Sequence, residues 1–276
     1  MDGPRPAEGV AGPAPAAGAG AGHVDAWFVG HATVRLGLAG VAVLTDPFLR
    51  DRLGPLQRHG TAPDPRAVEG IEIVLLSHGH PDHLDAASLA TVGPRPLVLV
   101  PRGLGGQARR ATGGEVLEVV EGASVHACGL VIEVVPARHW ITPGEPRAQP
   151  VGYLVRSAAG GPTVWFAGDT GRHASMASLR GRVDLALLPV WTWGPHLGPG
   201  HLGPRAAAEV LALTGAGAAV PIHWGTLYPR RLHRILRGPL DEPGPRFARH
   251  AARLAPHADV RVLAPGERTR FAFGGA

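Results

Sequence analysis

Ser77-His78-Gly79-His80-Pro81-Asp82-His83 places three imidazoles and a carboxylate within six positions, directly after the apolar run Ile71-Glu72-Ile73-Val74-Leu75-Leu76. A nearly continuous apolar run of this length reads as a strand covered on both faces, so the polar cluster leaves the end of a rigid element. His78 and His80 are two apart and point to the same side of an extended segment. Pro81 ends the strand and turns Asp82 and His83 towards the same space. Nitrogen and oxygen donors without sulfur suit a hard or borderline metal ion. Each residue alone has an ordinary reading: a histidine at a strand end is commonly a satisfied polar group, and Asp82 could cap a helix over 84–92. Four such groups so close together would each need a partner once buried, and together they read as a ligand cluster.

The same arrangement recurs downstream. The apolar segment 131–135 leads to Pro136-Ala137-Arg138-His139-Trp140, the segment 163–167 to Gly168-Asp169-Thr170-Gly171, and the segment 218–222 to His223-Trp224. Upstream, His31 follows the run 24–29 and Asp46 follows the run 41–44; taken singly, both are ordinary turn residues. Short β-rich runs at 24–29, 33–36 and 41–44 predict an antiparallel opening. Further strands are expected at 97–100, 116–120, 124–128, 152–155, 184–189 and 259–263, and helices at 84–92, 105–111, 204–213 and 245–254. Strands alternating with helices, with polar residues gathered at strand ends, describe a layered α/β protein whose site lies along one edge of its sheets. Residues 50–70 are polar and proline-rich without periodicity and predict a long loop. Arg230, Arg231, Arg234 and Arg237 alternate with Leu232, Ile235, Leu236 and Leu240 at helical spacing, predicting a basic surface helix that could receive a phosphate or an anionic lipid surface.

The chain has 276 residues, 45% of them hydrophobic, enough for one large core. One domain is expected over 23–276, after a disordered Ala/Gly/Pro tail at 1–22 that has almost nothing to bury. All 27 basic residues are arginine, for a net charge of +5, but no basic stripe with interleaved aromatics appears, which argues against a nucleic-acid partner. Cys128 is the only cysteine, so no intramolecular disulfide can form. The first residues lack a secretory signal, and no apolar stretch is long enough to anchor the chain in a membrane; a soluble cytoplasmic protein is expected.

In order and separation, His78-Gly79-His80-Pro81-Asp82-His83, Ala137-Arg138-His139-Trp140, Phe166-Ala167-Gly168-Asp169-Thr170 and Ile222-His223-Trp224-Gly225-Thr226 resemble the successive metal motifs of the metallo-β-lactamase fold superfamily. Gly30-His31-Ala32-Thr33 and Leu44-Thr45-Asp46-Pro47 are similar to the branch that contains N-acylphosphatidylethanolamine phospholipase D and ascorbate-6-phosphate lactonase-like proteins. The resemblance implies a four-layer αββα sandwich of two similar halves in a single domain, with the 78–83 motif from the first half and His223 from the second. It implies two divalent ions: His78, His80 and His139 would hold the first, Asp82, His83 and His223 the second, and Asp169 would bridge them. Zinc is expected; manganese and iron suit the same donors. His31 and Asp46 would orient ligands from behind. Asp82 and His201 are the expected catalytic groups, His201 facing the substrate.

Two divalent cations, two ligand carboxylates and a bridging hydroxide leave a net charge of about +1, which attracts an anion. A metal-bound hydroxide available near neutral pH would then attack a small anionic or ester-like substrate, a phosphodiester or a lactone. The competing readings are a β-lactam hydrolase, a group that usually lacks a histidine equivalent to His83, and a metal-binding or regulatory protein of the same fold without turnover. Trp140, Trp191, Trp193 and Trp224 neighbour the proposed site and read either as pocket walls or as core.

Overall fold

The structure is a computed structural model that describes residues 22–93, 95–140 and 148–274. All but Gly22 of the expected tail therefore lies outside the described residues.

The unbroken apolar runs serve two cores at once. Ile73 and Leu75 join one buried cluster while Val74 and Leu76 join another. Leu185, Leu187, Val220 and Ile222 face that first cluster, whereas Ala186, Leu188 and Ala219 face a third. A strand with a side-chain period of two and cover on both faces has no polar position to alternate with, which is why these segments read as continuous hydrophobic runs.

Two sheets of seven strands pack around the first cluster. In spatial order the first sheet holds Arg268–Ala272, His23–Gly30, Thr33–Leu38, Val41–Thr45, Ile73–Leu75, Leu97–Pro101 and Glu115–Val119. The second holds Asp259–Val260, Ala218–Ile222, Leu185–Pro189, Val164–Phe166, Val151–Ser157, Leu130–Pro136 and Ser124–Ala127. The short helices Ala86–Leu89 and Gly105–Arg109 cover the outside of the first sheet through Leu89 and Ala108. Pro204–Thr214 and Pro243–Leu254 cover the second through Ala207, Leu211, Phe247 and Ala251. The result is the αββα sandwich, a single domain because both sheets share one core.

Strand direction positions the polar residues. His23–Gly30, Val41–Thr45 and Ile73–Leu75 run the same way through the first sheet. Leu130–Pro136, Val164–Phe166, Leu185–Pro189 and Ala218–Ile222 share a direction in the second. Their C-terminal ends therefore gather along one edge of each sheet, and the histidines and aspartates singled out above follow those ends.

Several expectations are corrected. The helix at 84–92 shrinks to Ala86–Leu89, capped by Asp85 rather than Asp82: Asp85 accepts from Ser88 N at 2.9 Å. The helix at 105–111 ends at Arg109, and the strand at 259–263 reduces to Asp259–Val260. The supposed loop 50–70 contains a hairpin, Arg52–Leu53 with Leu56–Arg58, which pairs with Leu227–Pro229 into a three-stranded sheet, and a 3-10 turn at Pro65–Val68. The basic helix over 230–240 does not form. A 3-10 turn at Leu232–Arg234 is followed by a separate short helix, Gly238–Asp241, and Gly238-Pro239 starts that second element instead of continuing the first. Ile235 and Leu236 are 84% and 41% exposed, so the apolar spacing there builds no buried face. Among the described residues no helix is long and apolar enough to cross a membrane.

Candidate metal centre

The sequence-predicted residues converge. The turns after six strands bring them in, and three of these turns need left-handed conformations that side chains rarely adopt: His31 has φ 59°, Asp46 29° and His223 61°. Backbone strain of this kind persists only where the surroundings over-determine it, and here the two halves clasp each other. His223 N donates to His31 O at 2.7 Å, and His31 N donates to Thr226 Oγ1 at 2.7 Å. Gly168, at φ 60°, lets the chain carrying Asp169 pass the 78–83 motif: a Cβ there would lie 2.6 Å from Ser77 Cβ. Gly200, at φ 71°, lies against the backbone of His139 and Trp140, where a Cβ would come within 2.8 Å of Trp140 N.

One group consists of His78, His80 and His139. His78 Nε2 and His139 Nε2 approach His80 Nδ1 at 2.9 and 3.1 Å. The other consists of Asp82, His83 and His223, with His31 behind them. His83 Nε2 lies 3.2 Å from His223 Nε2, and Asp82 Oδ2 lies 3.7 and 3.8 Å from those two nitrogens. Asp169 stands between the groups. Its Oδ2 is 3.1 Å from His223 Nε2 and 3.4 Å from His83 Nε2, and with His139 and His201 it forms a further group whose ligand atoms lie within 4.8 Å of one another. His201 Nε2 is 3.4 Å from Asp169 Oδ2. Asp82, His83, Asp169 and His223 are buried, whereas His80, His139 and His201 are partly exposed, so the centre opens on the side of that second set.

The rings are oriented from behind. Nδ1 of His139 bonds Gly200 O at 2.9 Å, Nδ1 of His223 bonds Trp191 O at 3.0 Å, and Nδ1 of His83 bonds Asp46 Oδ2 at 2.6 Å. The Ser77 hydroxyl donates to Asp46 and accepts from His78 Nδ1 at 2.9 Å. Proton donation from Nδ1 fixes the tautomer that leaves Nε2 as a lone pair, the form that binds a metal. His31 Nε2 meets Asp82 Oδ2 at 2.9 Å.

The electrostatics ask for cations. Burial by itself would raise the carboxyls of Asp82 and Asp169, yet the surrounding imidazoles take both well below the usual carboxylate range. Burial likewise opposes charge on His83 and His223, but Asp169 and Asp82 push His83 well above its ordinary value and His223 up to about 9. Three other rings stay neutral: burial, with neighbouring imidazoles, lowers His31 to about 3, His139 to about 4 and His78 well below its ordinary value. Among the described residues no arginine pairs with Asp46, Asp82 or Asp169, so imidazolium is the only positive charge those carboxylates find. Asp169 Oδ1 is buried without any partner. A buried orphan carboxylate oxygen amid converging imidazole lone pairs fits divalent metal ions, whose ligand atoms sit about 2 Å from a common centre.

Residues 42–224 match the model of the beta-lactamase superfamily domain. The chain belongs to that superfamily. It is 33% identical over 255 residues to a UPF0173 metal-dependent hydrolase of Methanopyrus kandleri, covering 87% of this chain and 96% of that one. It is 32% identical over 260 residues to an uncharacterized protein of Mycobacterium tuberculosis, covering 88% of this chain and 67% of that one. A solved metallo hydrolase of the hyperthermophilic archaeon Ignicoccus hospitalis shares the fold, with a TM-score of 0.66 at 21% identity, covering 91% of this chain and all of that one. The chain is thus a metal-dependent hydrolase of the metallo-β-lactamase fold.

Sequence reasoning named His31 and Asp46 among the supporting groups and missed the others. Ser77 and Thr226 flank the motifs and could have been found as polar neighbours of ligands. The carbonyls of Trp191 and Gly200 carry no sequence signal, because any residue supplies a carbonyl. Of the four tryptophans, Trp224 belongs to the outer core, with its Nε1 on Pro221 O at 3.0 Å. Trp191 is half-buried, and its Nε1 bonds Gly194 O at 3.0 Å. Trp140 and Trp193 are 56% and 42% exposed.

Proposed function

We propose that the chain holds two divalent ions, zinc foremost, and hydrolyses a small anionic or ester-like substrate, a phosphodiester or a lactone. The observation that carries this reading is Asp169: it lies within ligand reach of His139 from one histidine group, holds Oδ2 close to His83 and His223 of the other, and keeps Oδ1 buried and without a hydrogen-bond partner. His78, His80 and His139 would hold one ion, Asp82, His83 and His223 the other, and Asp169 both. When bound, such ions supply Lewis acidity and a water acidified towards neutral pH. The protein's own groups do the rest. Asp82, ionised and braced by His31, is placed to orient an attacking water and accept its proton at Oδ2. His201, with 14% of its side chain exposed on the open side, is placed to meet the developing oxyanion. Trp140, Trp193 and Leu197 stay exposed on the segments that carry His139 and His201, and offer an apolar rim for the uncharged part of the substrate.

The test pairs metal content per chain, in protein purified without added metal or chelator, with hydrolysis of bis(p-nitrophenyl) phosphate and of a simple lactone, repeated on Asp169→Ala. Two ions per chain and metal-dependent turnover lost in the variant are expected, with the preferred probe naming the bond. Bound ions without turnover of either probe would favour a binding or regulatory role. Turnover indifferent to Asp169 would sink the proposed centre.

A further inference from the structure

Of the eight buried side-chain polar atoms without a hydrogen-bond partner among the described residues, three sit together away from the metal centre: His59 Nε2, Tyr228 Oη and His233 Nδ1. The three-stranded sheet brings them together. His59 directly follows the strand Leu56–Arg58, whose partner Leu227–Pro229 carries Tyr228, and His59 N bonds Thr226 O at 2.7 Å. The 3-10 turn Leu232–Arg234 then folds His233 back onto that face. The His59 and His233 rings lie 4.5 Å apart at 56°, and His59 meets Tyr228 edge-on at 6.4 Å. Tyr228 is only 1% exposed and both histidines are half-buried, with the three polar atoms themselves shielded from solvent.

Buried donors and acceptors are normally paired, so three orphans side by side call for a common partner. The local charge is balanced. Arg237 faces the pair but is held by both carboxylate oxygens of Asp241, at 2.6 and 3.1 Å. Burial, then His233 and Arg237, hold His59 below its ordinary value against Asp241, so its imidazole is neutral near pH 7, the ligating form. Two imidazole nitrogens and a phenol oxygen, with no thiolate or carboxylate, are donors for a borderline transition metal such as zinc, copper or nickel, and not for magnesium or calcium.

We propose that His59 and His233, with Tyr228 as a third donor, form a separate binding site for one divalent transition-metal ion. This site shares no residue with the centre at Asp169. An ion there pins the turn Leu232–Arg234 to the three-stranded sheet, one residue from Thr226. Thr226 in turn holds the His31 backbone, so occupancy stiffens the support beneath His31 and His223 without entering the reaction.

The test titrates zinc into the full chain already loaded at its metal centre, following uptake by native mass spectrometry and the histidine ring nitrogens by NMR. One further equivalent is expected, with the His59 and His233 ring signals shifting in step with it. His59→Ala and His233→Ala should each lose that equivalent and keep hydrolysis, whereas Asp169→Ala should keep it. No further equivalent, ring signals unmoved by zinc, or equal uptake by both histidine variants would overturn the proposal and leave a water-filled polar gap. The ring signals are read on the unaltered chain, so the outcome does not depend on how the variants fold.

Discussion

The Asp46 carboxylate is fully buried and gives both oxygens to the segment that carries the first histidines: Oδ1 accepts from Ser77 N at 2.7 Å, and Oδ2 accepts from the Ser77 hydroxyl and from His83 Nδ1. Nothing in Leu44-Thr45-Asp46-Pro47 alone separates this from a turn aspartate; only its position at the end of a strand parallel to Ile73–Leu75 puts it beside His83. Asn in its place keeps the shape and tolerates φ 29°, but an amide N–H2 set against His83 Nδ1–H makes donor face donor. Asp46→Asn should therefore fold and bind metal about 10- to 100-fold more weakly, the usual effect of removing a partner behind a ligating histidine. Zinc competition with a chromophoric chelator, alongside circular dichroism, measures this. Unchanged affinity would mean that Asp46 only closes a turn.

Which elements were legible follows from how they are buried. Ile73–Leu75, Leu185–Pro189 and Ala218–Ile222 are covered on both faces, and their ends could be read directly from the residue where apolar character stops. The hairpin Arg52–Leu53 and Leu56–Arg58 is not legible in the sequence because strands of two and three residues show no period; only Gly54-Pro55 hints at its turn. Helical spacing over 230–240 does not make a helix because apolar spacing fixes one only when a core exists to receive the apolar face, and Ile235 meets solvent. The missed sheet matters for the site, since Leu227–Pro229 pairs with the hairpin directly beyond Thr226. Thr226→Val removes the acceptor of the buried His31 N–H while keeping the side-chain volume. The expected loss is about 1–3 kcal/mol of unfolding free energy, the penalty for stranding one buried donor. Urea unfolding measures it, and a variant as stable as the parent would show that the clasp between the halves does not run through this hydroxyl.

At the scale of the whole molecule, both sheets deliver charge to one edge, and the balance of that charge sets stability against pH. In the metal-free chain His83 and His223 are raised above the ordinary histidine value of 6.5, His223 to about 9. Stability from a raised histidine is fully present below its unfolded value and fades as pH climbs through the folded one, here between about 6.5 and 9. His31 and His139, lowered to about 3 and 4, act in the opposite sense: the unfolded chain takes up the proton first, so stability fades as pH falls from 6.5 towards those values. Asp82 and Asp169, depressed, add stability that is lost only on further acidification below 3.8. The chelated protein should therefore be most stable near pH 6.5 and weaken on either side. Bound cations supply the positive charge that imidazolium otherwise provides, so loading the protein should flatten the alkaline side and leave the acid side steep, because protons compete with metal for the same nitrogens. Melting temperatures at about pH 5, 6.5 and 9, with and without chelator, decide the matter. A chelated protein as stable at pH 9 as at 6.5 would show that the aspartates of the centre are neutralised by something other than His83 and His223.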